Sequence, residues 1–144
     1  MILDSLDRFR GHLGVHPLFA GVAAFLETTD LAALFARIEE GRDRGYLCAL
    51  SFPVLYCLLS KSLRRDRAAK VLEKLRIVFR VASVDEKVID LALTADFKDF
   101  EDAVHYYSAV QVQADCLVTR NKKDFPTGRM TILTPEEFLA LPRG

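Results

Sequence analysis

Two kinds of hydrophobic pattern alternate along the chain. Segments with an apolar residue at every third or fourth position are separated by short continuous apolar runs, which is typical of helices alternating with buried strands. The predicted strands cover 46–50, 80–84, 116–119 and 130–133, and the predicted helices cover 18–26, 31–40, 51–63, 66–79, 86–95, 100–113 and 135–139. Strands apolar on both sides and separated by helices favour a parallel sheet. The predicted fold class is therefore α/β, with helices on both faces of the sheet.

Polar residues at the element ends support these boundaries. Asp85 and Asp99 are predicted N-caps, Ser51 with Pro53 is expected to open a helix, and Gly41 is expected to close one. These residues place helix starts after the predicted strands 46–50 and 80–84.

The length and composition fit one compact domain over residues 1–144. The chain has 144 residues, of which 51% are hydrophobic and 28% charged, so a core can form and a disordered chain is excluded. The longest apolar stretch, 47–59, is too short for a bilayer span, and the first residues lack the order of a signal peptide. We expect a cytoplasmic protein that does not enter a membrane.

Cysteine and histidine give no metal or disulfide signature. The three cysteines include no C-x-x-C pair, so a disulfide framework and a zinc site are both improbable. We expect His12, His16 and His105 to be surface or half-buried residues.

Charge is unevenly distributed although the formal net charge is zero. Segment 61–80 is rich in Lys and Arg, and segment 85–102 is rich in Asp and Glu. Basic stretches attract phosphate and clustered carboxylates can hold a hard cation, which together hint at nucleic-acid chemistry. The alternative is that both segments are solvated helix faces.

Candidate chemistry lies near the third predicted strand. Thr119, Asn121 and Asp124 follow that strand, and Asp102 stands in the first turn of the helix before it. Ligands of open parallel sheets bind beyond the carboxyl ends of the strands. For Asp102 the alternative is a capping role beside Asp99, together with a favourable helix dipole.

Three ordered motifs resemble a known family. Segments 96–103, 114–125 and 133–139 look like the C-terminal half of a PIN domain, closest to the VapC-like subgroup that reads DFEDA and VTRNKKDF. Segment 45–51 resembles the second strand of that subgroup, so the resemblance covers about residues 35–141. It implies a ribonuclease dependent on Mg²⁺ or Mn²⁺, and many such proteins are the toxin of a toxin–antitoxin pair.

The resemblance also implies roles for single residues. Asp4, Asp102 and Asp124 match metal ligands, while Asn121 and Thr119 would position phosphate or water. Asn121 stands where many members carry Asp, which removes one charge from the pocket. Implied partners are RNA, bound through the basic segment 64–80, an antitoxin protein and a second copy of the chain. The rival interpretation is a catalytically silent PIN-fold module that binds RNA or a protein partner.

The N-terminal segment is atypical. Residues 1–34 resemble the start of YhcH/YjgK/YiaL-type proteins, a cupin-like barrel family linked to sugar metabolism, but none of that barrel follows. A PIN domain should begin with a central strand that ends in Asp. We therefore predict that Ile2 and Leu3 enter the sheet and that Asp4 lies within reach of Asp102.

Overall fold

The computed structural model describes residues 2–3, 29–119 and 121–142. In chain order the elements are β1 (Ile2–Leu3), α1 (Thr29–Glu39), β2 (Tyr46–Cys48), α2 (Ser51–Ser62), α3 (Arg65–Val78), β3 (Arg80–Ala82), α4 (Glu86–Thr94), α5 (Phe100–Gln111), β4 (Cys116–Val118), a 3₁₀ turn (Lys122–Asp124), β5 (Thr131–Leu133) and α6 (Pro135–Leu139). The helix predicted at 18–26, His12 and His16 lie outside the described residues. The alternation of helices and strands confirms the α/β class.

The five strands form one parallel sheet in the order β3-β2-β1-β4-β5. Ile2 pairs with Tyr46 of β2 on one side and with Leu117 of β4 on the other, and Leu3 continues the same register. This confirms the prediction that Ile2 and Leu3 supply the central strand. Without them, β2 and β4 would face each other with unpaired backbone groups inside the sheet. Asp4, the next residue, lies outside the described residues.

The four strands predicted from apolar runs are all present, each one or two residues shorter than predicted. After β2 the backbone turns at once into α2, and the N–H of Phe52 donates to the carbonyl of Ala49 at 3.3 Å. The apolar run predicted as a strand over 46–50 therefore extends beyond β2 into the turn before α2. It stays apolar there because the elements on both sides of the turn are packed in the core.

Three of the four predicted capping positions lie at helix ends as expected. Asp85 and Asp99 each accept a hydrogen bond from the backbone N–H three residues later, at 3.0 and 3.2 Å. Gly41 closes α1 at a φ of +71°, a conformation that suits glycine. Ser51 is different: it is a buried first residue of α2, and Leu50 takes the cap position without a side-chain hydrogen bond.

Buried apolar side chains form two clusters. Leu47 of β2 and Val118 of β4 belong to the first, together with side chains of α1, α2, α3 and α6. Cys48 and Leu117 belong to the second, together with side chains of α4, α5 and β5. Because successive side chains of a strand point to opposite faces, apolar side chains are buried on both faces of β2 and β4.

A close approach of α3 and β2 depends on a glycine. A Cβ atom on Gly45 would lie 2.7 Å from Cδ1 of Phe79 and 2.8 Å from Cδ1 of Ile38. The Phe79 ring is buried and packs edge-on against Phe35, with the ring centroids 4.8 Å apart. The missing side chain at Gly45 is thus what lets this aromatic pair lie against the start of β2.

Candidate functional site

Polar residues collect where the strands of the sheet end. Because all the strands are parallel, their carboxyl ends lie along one edge of the sheet, which we call the carboxyl edge. Thr119 follows β4 directly, and Asn121 and Asp124 lie in the turn beyond it. The chain therefore brings three of the predicted site residues to this edge through β4 alone.

Hydrogen bonds link the turn after β4 to the sheet. The N–H of Thr119 donates to the carbonyl of Leu133 at 2.9 Å, and the Thr119 hydroxyl accepts from the N–H of Asn121 at 3.1 Å. The side-chain amide of Asn121 then donates to the carboxylate of Asp124. A donor in that position stabilises a charged carboxylate. This series of hydrogen bonds holds Asp124 at a defined place relative to β4.

A second set of contacts ties the same turn to α6. The ammonium group of Lys122 lies 2.9 Å from a carboxylate oxygen of Glu137. Glu137 also accepts from the N–H of Thr134 at 2.9 Å, while the Thr134 hydroxyl accepts from the N–H of Glu137. The backbone bond from Thr134 and the contact with Lys122 hold the pKa of Glu137 below its usual value. The start of α6 thus anchors the turn that carries Asp124.

Asp102 is the one carboxylic acid side chain that is fully buried in the part of the chain the structure describes, with an exposed fraction of 1%. Its backbone N–H donates to Asp99, so Asp99 performs the capping and the Asp102 carboxyl group does not. Burial of a carboxylate is costly unless partners or a metal compensate it. The capping alternative therefore explains Asp99, while the Asp102 carboxyl group lies buried in the first turn of α5.

The donor atoms at this edge are oxygens. The carboxylates of Asp102 and Asp124, the carbonyl oxygen of the Asn121 amide and the Thr119 hydroxyl are the types of ligand that Mg²⁺ and Mn²⁺ take. Within residues 2–3, 29–119 and 121–142, however, no three His, Cys, Asp or Glu side chains are grouped so as to hold a metal ion. A shared cation at Asp102 and Asp124 stays a prediction, as does the role of Asp4.

Comparison with known proteins identifies the family. A family model described as PIN domain matches residues 20–123, which is more than half of the chain. The chain belongs to the PIN domain family. No curated protein and no solved structure matches it. The PIN domain match includes Asp102, Thr119 and Asn121, ends one residue before Asp124, and begins after Asp4.

Membership in the PIN domain family indicates a nuclease-type fold and a nucleic-acid substrate. The match also spans residues 20–34, part of the segment that resembles YhcH-type proteins. The YhcH-type resemblance and the VapC-like subgroup stay predictions. Among the helices the structure describes, none combines the length and the apolar character that crossing a membrane requires.

The prediction for His105 is wrong. This PIN domain buries His105 completely, at an exposed fraction of 0%, on the inner face of α5. Asp102, His105 and Ser108 recur at intervals of three residues, which places them near one face of the helix. That spacing is the signal in the sequence that indicates a shared buried face.

His105 belongs to a buried polar cluster with Cys48 and Ser108. Cys48, the last residue of β2, donates from Sγ to the Ser108 hydroxyl at 3.5 Å. Nε2 of His105 lies 3.5 Å from Oε1 of Glu101, one turn earlier on α5. Burial raises the pKa of Cys48, but the hydrogen bond and charge of His105 and the hydrogen bonds of Ser108 and Leu50 outweigh it, so the pKa is lowered. The cluster connects the end of β2 with the helix that carries Asp102.

Proposed function

We propose that this PIN domain is a metal-dependent endoribonuclease with its site at the carboxyl edge. The observation that carries the proposal is the buried carboxylate of Asp102 at the start of α5, whose capping is supplied by Asp99. Asp102 and Asp124 would hold Mg²⁺ or Mn²⁺, with Asp4 as a third ligand. When bound, the metal would supply Lewis-acid activation of the phosphate and of a water molecule.

The other residues of the edge would position the reacting groups. Asn121 fixes the carboxylate of Asp124 through its amide, and Thr119 fixes the backbone of Asn121. Both act on the orientation of Asp124. Their own polar groups would orient phosphate or water at the same edge.

The exposed bases of α3 would bind the RNA backbone. Four of them, Arg65, Arg67, Lys70 and Lys74, lie before the last turn of this helix of 14 residues, and the fifth, Arg76, lies in the last turn. Contacts of this kind bind phosphate without sequence preference, so they would contribute affinity and not specificity. The finer proposals from the family resemblance are a toxin role in a toxin–antitoxin pair, an antitoxin partner and a homodimer. A cytoplasmic location and helices covering both faces of the sheet are proposals from the sequence pattern.

The second candidate function is a catalytically silent PIN-fold module that binds RNA or a protein. Two observations favour it. Helix α2 starts just after the carboxyl end of β2, yet its sequence contains no Asp or Glu. Asn121 also stands where a further carboxylate would strengthen metal binding. Both features reduce the negative charge available to a cation.

One experiment separates the two candidates. Purified protein is incubated with a single-stranded RNA of mixed sequence in Mn²⁺, in Mg²⁺ and in EDTA, and cleavage and binding are both measured. The enzyme should cleave with metal and not in EDTA. Asp102→Asn and Asp124→Asn should each lower the cleavage rate by about a hundredfold, which corresponds to about 2.7 kcal/mol of transition-state stabilisation.

The matched control is Asp90→Asn, which removes an exposed carboxylate on α4 and should leave cleavage unchanged. Circular dichroism of each variant checks folding. Binding of RNA without cleavage under every metal condition would replace the enzyme with the silent module. Loss of cleavage in Asp102→Asn with full cleavage in Asp4→Asn would remove Asp4 from the ligand set.

A further inference from the structure

A groove of about 990 Å³ lies at the amino edge of the sheet, opposite the candidate site. Its lining comes from the segments that lead into β2, β3 and β4, mainly 41–46, 76–81 and 112–115. Because parallel strands begin at one edge and end at the other, this groove is separate from the carboxyl edge. Nothing in the proposed nuclease reaction uses it.

The groove carries an excess of positive charge. Its charged lining residues are Arg42, Arg44, Arg76 and Arg80 against Asp43 and Asp115. The carboxylate of Asp43 is paired with Arg37 at 2.7 Å, and the guanidinium of Arg42 is paired with Glu40 at 2.8 Å; neither Arg37 nor Glu40 lines the groove. Without Asp43 and Arg42, the lining still holds three arginines and one aspartate. The guanidinium of Arg76 donates to the carbonyl of Phe79 at 3.3 Å and is held at the groove wall. An anionic partner would therefore be favoured here.

Strand β3 forms one side of this groove and has an open edge. It is the outermost strand, and among the residues the structure describes no strand lies beyond it. The N–H of Arg80 donates to Gly45 and the carbonyl of Ala82 accepts from Ala49, so both residues face β2. Since alternate residues of a strand direct their backbone groups to opposite sides, the N–H and C=O of Val81 face outward.

Two apolar side chains accompany these outward backbone groups. Ile77, in the last turn of α3, has an exposed fraction of 85%, and Val81 has one of 36%. Both line the groove. Large apolar side chains beside an open strand edge are typical of surfaces that pair with another chain.

We propose that the outer edge of β3 binds an extended acidic peptide segment of a partner protein, which adds a parallel or antiparallel strand to the sheet. Its backbone would pair with Val81, its carboxylates would contact Arg80 and Arg76, and an apolar side chain would cover Ile77. Backbone pairing would supply affinity, and the arginines would select for negative charge.

The same observations disfavour two other occupants. A second copy pairing through its own β3 would bring Arg80 of one chain close to the arginines of the other, and like charges across paired strands are destabilising. A single-stranded nucleic acid would need an exposed aromatic ring for base stacking, whereas Tyr46 is half-buried and Phe79 is buried in this groove. It would also leave the outward groups of Val81 unused.

The test uses defined probes and the full chain. A fluorescein-labelled ten-residue peptide of alternating glutamate and valine is titrated with the protein, and anisotropy is measured. A lysine–valine peptide tests the charge, and a glutamate–valine peptide with every backbone nitrogen methylated tests strand pairing. We expect the acidic peptide to bind and both other peptides to bind about tenfold more weakly or not at all.

Variants locate the binding at β3. Arg80→Glu and Ile77→Ser, both at exposed side chains, should weaken binding of the acidic peptide, the first by about tenfold or more. Lys87→Glu is the control, because it reverses an exposed charge on α4 outside the groove. Equal binding of the methylated peptide, or native binding by both groove variants, would overturn the proposal. Tighter binding of oligouridine that is also lost in Arg80→Glu would make the occupant a nucleic acid and overturn it too.

Discussion

Replacement of Asn121 by aspartate tests the geometry of the turn that carries Asp124. In the native chain the Asn121 amide donates to the Asp124 carboxylate. Asn121→Asp removes that donor and places two carboxylates in contact. A hydrogen bond to a charged group contributes about 1.5–3 kcal/mol. Repulsion between unit charges 4 Å apart adds about 1 kcal/mol in water and about 4 kcal/mol at an effective dielectric constant of 20.

Both side chains are half-buried, so the repulsion should lie between these limits. The expected loss in the free energy of unfolding at pH 7 is about 2.5–7 kcal/mol, a large part of the about 5–15 kcal/mol typical of a domain. The loss should shrink as the pH falls, because proximity raises the pKa of one of the two carboxyl groups and protonation then removes the repulsion.

The assay is urea unfolding in EDTA at neutral pH and at about pH 4, near the ordinary carboxyl range. Asn121→Ala is the control, because it removes the donor without adding charge; the difference between the two variants measures the repulsion. If the proposed metal site exists, added Mn²⁺ should restore the stability of Asn121→Asp more than that of Asn121→Ala. Native stability of Asn121→Asp in EDTA at pH 7 would show that the contact with Asp124 does not form.

Three further predictions concern the fold around the two edges. Gly45→Ala should lower the free energy of unfolding by about 1–3 kcal/mol, because its methyl group meets Phe79. In urea unfolding, the added substitution Phe79→Leu should recover part of that loss. Additive losses in the double variant would contradict the clash. In the native protein, Cys57 should react with Ellman's reagent well before Cys48 and the other buried cysteine, which should react only in denaturant; equal fast reaction of all three would contradict their burial. Glu137→Gln should destabilise the protein at neutral pH and have little effect in acid. The lowered pKa of Glu137 in the folded state gives a contribution to the free energy of unfolding that is present above the ordinary glutamate pKa and lost as the pH falls through the folded-state pKa. Urea unfolding at both pH values checks this, and an equal loss at both would be inconsistent with it.

Local signals in the sequence predicted the elements well. Asp85, Asp99 and Gly41 act through hydrogen bonds or dihedral angles within a few residues, so their effect can be read from neighbouring positions. The place of Ile2 and Leu3 was predicted from a different argument, the need of a parallel sheet for a central strand, and the pairing with β2 and β4 confirms it.

Contacts between distant segments could not be predicted in the same way. Cys48 meets Ser108 only because β2 and α5 pack against each other, and the two residues are 60 positions apart in sequence. The burial of His105 follows from the same packing, since the face of a helix that turns inward depends on what covers it. The open edge of β3 likewise depends on strand order, which the apolar pattern does not specify.

Parallel topology explains why the uneven charge of the sequence becomes two separate surfaces. Segments that enter the strands meet at the amino edge, and segments that leave them meet at the carboxyl edge. The basic segment 61–80 ends by entering β3, so its last arginines reach the amino edge. The acidic segment 85–102 ends in the first turn of α5, where Asp102 is buried. The positive groove and the candidate site thus lie at opposite edges of the sheet, and a partner bound at the groove would leave the candidate site open to substrate.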